Sequence, residues 1–176
     1  RDSFASDNGA AIQAPIKILN CNAGFKGRKG TLYEGGIRVP FIVNQPGMVP
    51  IQTLDNLIYF PDMMPTLAAL AKGTKHLPKQ INGINILPLF YGKQVDTDNR
   101  LLYWEFPGKQ RAARKGDWKC VTIHPNQPLE LYNLKEDPEE TNNLAKKYPR
   151  RVKEFDEEMQ RMHIPTPNWP QPGEQF

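Results

Sequence analysis

The sequence predicts an α+β chain: the end of an α/β region, followed by a small antiparallel sheet packed with a C-terminal helix. Three observations carry this. Short apolar segments between residues 101 and 133 alternate with turn-forming residues, the pattern of a meander. Near the C-terminus, Val152, Phe155, Met159 and Met162 recur at spacings of three and four, which places them on one helix face. Ahead of both, a short apolar strand over 38–43 leads towards a helix that begins near Asp62.

Taken in order, Ser3–Ser6 reads as the tail of a strand that breaks at the turn-forming triplet Asp7-Asn8-Gly9. Residues 9–36 are glycine-rich and lack periodicity; so long a connection is expected only where it serves a function. Arg38–Val43 is expected to form a buried strand, with Pro40 at its start or on a sheet edge. Asp62 is placed to cap the next helix, Pro65 is tolerated in its first turn, and Gly73 ends it. Met64, Leu67, Ala68 and Ala71 share its expected buried face. A Pro/Gly/Asn-rich connection over 73–99 puts a boundary near residue 95.

Strands are expected at Leu101–Phe106, Arg111–Arg114, Lys119–Ile123 and Glu130–Asn133. Pro107-Gly108, Lys115-Gly116-Asp117 and Pro125–Pro128 turn between them. The last helix should span 149–162, with Pro149 at its first position and Glu154, Asp156, Glu157 and Glu158 towards water. Ile164–Phe176 reads as irregular.

The 176 residues are 39% hydrophobic and 24% charged, a globular composition that excludes wholesale disorder. Apolar runs such as Thr66–Ala71 and Ile86–Tyr91 fall far short of the roughly 18–20 residues of a membrane span, so no membrane-spanning helix is expected. The 23 Lys+Arg against 19 Asp+Glu give +4, spread along the chain. Two local basic groups stand out: Lys26, Arg28 and Lys29, and the patch 109–119 of Lys109, Arg111, Arg114, Lys115 and Lys119 around Trp118. Nucleic-acid binders add a basic helix or interleaved aromatics; Trp118 lies inside the second group, yet no nucleic-acid module surrounds it, so no nucleic-acid partner is expected. Cys21 and Cys120 are too few for a disulfide framework, and their pairing stays open.

Asp7 and Asn8 put a carboxylate beside an amide carbonyl at the end of a strand, oxygen donors suited to a hard cation such as Ca²⁺; Asp-Asn-Gly is equally a common turn. Lys29, between Arg28 and Gly30, is either an exposed basic loop residue or a point charge for an oxyanion, with glycines allowing close backbone approach. Glu34 and Arg38, four apart, are expected to form a structural ion pair. His76, His124 and His163 have no metal-ligand spacing, and neither Ser3 nor Ser6 sits in a nucleophile elbow.

Phe4-Ala-Ser-Asp-Asn-Gly9 followed by Lys29-Gly-Thr-Leu-Tyr-Glu-Gly-Gly-Ile-Arg-Val-Pro40 resembles the calcium-dependent, formylglycine-using sulfatases of the arylsulfatase type. Asp62-Met-Met-Pro-Thr-Leu67, Asn82-Gly-Ile-Asn-Ile-Leu-Pro-Leu89, Arg114-Lys-Gly-Asp-Trp-Lys119 and the stretch Glu130–Leu144 continue the likeness, over about residues 4–160. The resemblance implies an alkaline-phosphatase-like α/β catalytic domain whose C-terminal remnant is 1–95, and an antiparallel-sheet-plus-helix subdomain at 96–176. It implies that Asp7 and Asn8 are two calcium ligands and that Lys29 contacts the sulfate, with Arg111 and Arg114 as further substrate-binding candidates.

The family's nucleophile is a formylglycine made from Cys or Ser in a Cys/Ser-x-Pro-x-Arg pattern, which is not found around Cys21, Cys120, Ser3 or Ser6. The chain is therefore expected to be the C-terminal part of a sulfatase of sulfated sugars or aryl sulfates. Its nucleophile would lie upstream, the chain alone would be inactive, and calcium binding by the fragment would be weak or absent. Its partner would be the remainder of its own catalytic domain, residues 1–50 would be loosely held, and the whole enzyme would be exported (periplasmic or secreted) or lysosomal. The alternative is a non-catalytic module that grips a sulfated glycan through the patch 109–119.

Overall fold

The computed structural model describes residues 2–11, 13, 16–106, 110–167 and 170. In chain order the elements are β1 (Asp2–Ala5), α1 (Ile16–Leu19), α2 (Glu34–Ile37), β2 (Phe41–Asn44), α3 (Met63–Leu70), α4 (Leu87–Phe90), β3 (Leu101–Phe106), β4 (Gln110–Lys115), β5 (Trp118–Thr122), β6 (Glu130–Asn133) and α5 (Pro149–Met162). Contacts divide the chain into two units, Arg1–Ala5 with Phe41–Arg100 and Ser6–Pro40 with Leu101–Phe176. This differs from a single cut near 95, because the glycine-rich segment lies on the C-terminal sheet. The expected turn at Pro107-Gly108 falls outside the described residues, as does most of the tail beyond 167.

In the first unit β1 and β2 pair antiparallel, with Phe4 opposite Ile42. The expected buried strand over 38–43 is instead Phe41–Asn44, beginning just after Pro40, and Ile42 is 58% exposed. Proline has no N–H for the ladder, so pairing starts beyond it.

Helix α3 also buries a different face from the one expected. Met64 and Leu67 are exposed, whereas Pro65 and Thr66 are buried. The reason is polar: the Thr66 hydroxyl accepts the Ile86 N–H at 2.9 Å, which draws the 84–90 segment onto that side. Asp62 does not cap the helix. Its fully buried carboxylate accepts both terminal nitrogens of Arg100 at 2.5 and 2.6 Å and the N–H groups of Tyr59 and Ile84 at 3.0 and 2.9 Å. A buried charge is tolerable when it is paired and hydrogen-bonded in this way. At the other end Lys72, not Gly73, adopts the left-handed conformation (φ 56°), while Gly73 N–H reaches Ala68 O at 2.7 Å and Lys72 N–H reaches Ala69 O at 3.1 Å, a Schellman stop.

The second unit is built on the expected meander, a four-stranded antiparallel sheet in the order β3-β4-β5-β6. Ala112 and Ala113 sit at its centre, fully buried, one on each face. Their small side chains let a covering layer come close on both sides. On one face Phe155 and Met159 of α5 pack on Ala113, Cys120 and Leu131, as the helical stripe foretold. Burial of such side chains stabilises by about 1.5–3 kcal/mol each. Asp156, expected to face water, instead turns to Arg111 of β4 at 3.4 Å.

On the other face Leu32 and Tyr33 pack on Ala112, Val121, Tyr132 and Leu134. The glycine-rich segment is thus one of the two covering layers of the sheet, and Leu32–Gly36 is buried rather than loosely held.

Candidate functional site

Of the residues singled out for chemistry, Asp7, Asn8 and Lys29 lie on two backbone stretches that are hydrogen-bonded together. Directly after β1 the chain bends through Asp7-Asn8-Gly9, with the Ser6 hydroxyl donating to the Asn8 carbonyl at 2.8 Å. Two backbone hydrogen bonds then stitch the bend to the lysine loop: Gly9 N–H to Gly36 O and Lys29 N–H to Ala10 O, both 2.9 Å. Such close approach requires residues without a Cβ. A Cβ on Gly9 would stand 1.9 Å from Gly35 O, and one on Gly36 would stand 2.1 Å from Thr31 O. Gly30, at φ 92°, turns its carbonyl to the Gln110 side-chain amide of β4 at 2.9 Å. The loop is therefore pinned to the start of β4.

Within this frame the Lys29 ammonium, the Asp7 carboxylate and the Asn8 side-chain amide make no hydrogen bond or ion pair with any described residue, and Lys29 and Asp7 are exposed. The backbones of the two segments are fixed while their functional groups stay free.

The support beneath the loop is a buried charge cluster that sequence reasoning missed. Glu34 was expected to pair with Arg38, and that contact exists at 3.8 Å. Its shorter partner is Lys119, whose fully buried ammonium lies 2.9 Å from Glu34 Oε1 and 2.9 Å from Glu140 Oε1. Glu140 also accepts the Glu34 backbone N–H at 2.7 Å. Burial pushes the Glu140 carboxyl above its ordinary value, against the opposing pull of Lys119. Arg114 lies 3.8 Å from the second Glu34 oxygen and donates its Nε–H to Gly116 O at 3.0 Å. Strand alternation held the signal: Lys119 shares its face of β5 with Val121, the face the glycine-rich segment covers.

A second polar group anchors Lys26, from the basic triplet. Its ammonium donates to Tyr132 OH at 2.9 Å and to Glu130 at 3.3 Å, and sits 4.1 Å above the Tyr33 ring. Burial alone would raise the Glu130 carboxyl. Hydrogen bonds from Tyr132 (2.6 Å) and Tyr33 (2.8 Å), with the Lys26 charge, outweigh it and hold the group below its ordinary value. A depressed folded pKa gives stability that is present above the unfolded value and lost as pH falls through the folded one. Glu130→Gln should therefore lower the urea midpoint at pH 7, and the gap from the parent chain should close towards pH 3. A gap independent of pH would contradict this.

The basic patch 109–119 does not exist as one surface. Arg111 is on the α5 face of the sheet, engaged with Asp156, whereas Arg114 is on the opposite face beside Glu34. Lys119 is buried, and Trp118 packs edge-on to Tyr148 with Arg151 over its ring at 4.3 Å. Lys115 is exposed, and Lys109 falls outside the described residues. Opposite faces and internal partners prevent these cations from acting together. His163 lies 2.5 Å from Glu105, which also accepts the Tyr103 hydroxyl. Cys21 is exposed and Cys120 buried, both as free thiols, and burial pushes the Cys120 thiol up to about 12. Among the described residues no group of three or more His, Cys, Asp or Glu side chains is placed to hold a metal, and no helix is long and apolar enough to cross a membrane.

The second unit is thus a four-stranded meander with a helix on one face and, on the other, a glycine-rich loop whose backbone is tied to the Asp7-Asn8-Gly9 bend. The chain belongs to the sulfatase family: residues 25–164 match the family model of N-sulphoglucosamine sulphohydrolase, C-terminal. It is 32% identical over 163 residues to a sulfatase of Formosa agariphila, covering 83% of this chain and 29% of that protein. It is 29% identical over 176 residues to the N-acetylgalactosamine-6-O-sulfatase of Bacteroides thetaiotaomicron, covering 88% of this chain and 34% of that one. Among solved structures, Ps i-CgsB in complex with k-i-k-neocarrahexaose superposes with a TM-score of 0.75 at 25% identity, covering 97% of this chain and 38% of its own. The chain thus spans about a third of the length of these relatives.

Proposed function

We propose that this chain supplies the sulfate-contacting lysine and part of the cation site of a sulfuric ester hydrolase acting on a sulfated sugar or an aryl sulfate. The observation that carries the proposal is the pairing of free groups with a fixed frame: Lys29, Asp7 and Asn8 lack partners among the described residues, yet their backbones are tied by the Lys29–Ala10 and Gly9–Gly36 hydrogen bonds. From a fixed backbone position the Lys29 ammonium can reach sulfate oxygens, where positive charge stabilises the negative charge that develops in the transition state. The N-acetylgalactosamine-6-O-sulfatase relative supports a sulfated sugar as the substrate class.

Asp7 and Asn8 offer two oxygens where Ca²⁺ takes roughly six to eight. They fit the ion as part of a set, and the other donors would come from polypeptide outside this chain. Bound there, Ca²⁺ would add positive charge against the sulfate oxygens. The nucleophile, a formylglycine, is likewise assigned to an upstream segment, since no cysteine or serine here has the required proline and arginine after it. The whole enzyme would then be exported or lysosomal. Incubated with 4-nitrophenyl sulfate and Ca²⁺, the chain alone is expected to show no turnover, because the covalent route has no nucleophile. Hydrolysis by the isolated chain that disappears in Lys29→Ala would overturn the upstream assignment.

A further inference from the structure

On the α5 face of the second unit, the residues leading into α5 and its first turns form a basic surface that the lysine loop does not use. Lys146, Lys147, Arg150 and Arg151 fall within six positions, all are exposed, and among the described residues none makes an ion pair. Further along the same helix the cations are paired, Lys153 with Glu157 at 3.8 Å and Arg161 with Glu158 at 2.9 Å. Three of the four exposed cations, Lys147, Arg150 and Arg151, line a shallow, open groove with Tyr148, Pro149 and the single acid Glu154. Tyr148 is held in place by aromatic packing: Trp118 meets it at 5.3 Å, with Arg151 4.3 Å above Trp118 and Lys147 5.3 Å from the Tyr148 ring.

Four exposed cations beside one acid leave a net positive field on this surface, which favours an anion. The site lies apart from Lys29. Trp118 begins β5 at the Lys115 end of β4, whereas Gly30 is held at the Gln110 end, on the other face of the sheet. Six residues of strand separate those ends by about 16–20 Å.

We propose that this surface is a second anion site that holds a distant sulfated unit of a polysaccharide, binding the chain by charge rather than by chemistry. The choice of a sulfated glycan rests on the sulfatase reading above. It also rests on geometry: the Trp118 face is covered by the Arg151 guanidinium, so it offers no open platform for the base stacking that single-stranded nucleic acid uses.

The test is titration of the full chain with a heparin decasaccharide by calorimetry and by amide NMR. Shifts are expected at residues 146–154 and at the Trp118 indole N–H, with affinity falling steeply as salt rises. Lys146→Gln/Lys147→Gln/Arg150→Gln, which leaves the Arg151–Trp118 contact intact, should bind about tenfold or more weakly and with a shallower salt dependence while unfolding at an unchanged temperature, since each anion contact removed takes its share of counter-ion release with it. Binding that the triple variant retains, shifts confined to 26–31, or equal affinity for oligo-dT of matched charge would each overturn the proposal. None of these outcomes depends on turnover, so the sulfatase reading can fail separately.

Discussion

Replacing Lys119 with Met is expected to cost about 3–5 kcal/mol, seen as a large fall in the denaturant midpoint of the second unit. The ammonium is fully buried and stands between two buried carboxylates, 2.9 Å from each. Removing it leaves Glu140 without its cation and Glu34 with only the longer contacts to Arg38 and Arg114 at 3.8 Å. The loss should depend on pH in a particular direction. The Glu140 carboxyl is already raised by burial, and a group with a raised folded pKa gives stability that is present below the unfolded value, near 4.5, and lost as pH rises through the folded one. Without Lys119 that window widens, so the variant should be least impaired in acid. Adding Glu34→Gln and Glu140→Gln should restore much of the midpoint at pH 7, since an amide oxygen can still accept the Glu34 N–H. A small, pH-independent loss would show that the cluster is not coupled as described.

Gly36→Ala should be nearly as damaging for a different reason. Its Cβ would lie 2.1 Å from Thr31 O and 2.6 Å from Arg28 O, both backbone atoms of the loop that carries Lys29. Backbone cannot rotate aside as a side chain can, so the loop must move, at about 1–3 kcal/mol or more. The Gly9–Gly36 hydrogen bond should then lengthen, separating Asp7 and Asn8 from Lys29. Gly73→Ala is the contrast, because its nearest neighbour is Ala68 O at 3.8 Å and its φ is −108°. A thermal melt of the Gly36 variant that matches the Gly73 variant would contradict the tight frame.

What could be read from the residues, and what could not, follows from the range of the interactions. The meander and α5 were legible because alternation and helical periodicity are local, and Phe155 and Met159 are buried where that period put them. The lysine motif was legible through its resemblance. Its placement was not: nothing between residues 9 and 36 says that Leu32 and Tyr33 cover a sheet more than seventy positions later. The same holds for Lys119, which looked like one cation of a basic run because its partners are 85 and 21 positions away. Asp62 looked like a cap for the same reason, since Arg100 takes its carboxylate from 38 positions along the chain. On α3 the apolar stripe suggested one face and the Thr66 hydroxyl bond selected another.

The most direct measurement is kcat/KM for 4-nitrophenyl sulfate in a polypeptide that carries the proposed upstream segment, comparing Lys29 with Lys29→Ala. If a free, framed ammonium contacts the sulfate, losing it should lower kcat/KM by about 10²–10³-fold, the scale of removing one preorganised charge-stabilising group. The melting temperature should stay unchanged, because Lys29 is exposed and its side chain touches no described partner. Unaltered turnover in the alanine variant would contradict the assignment of this loop to the sulfate.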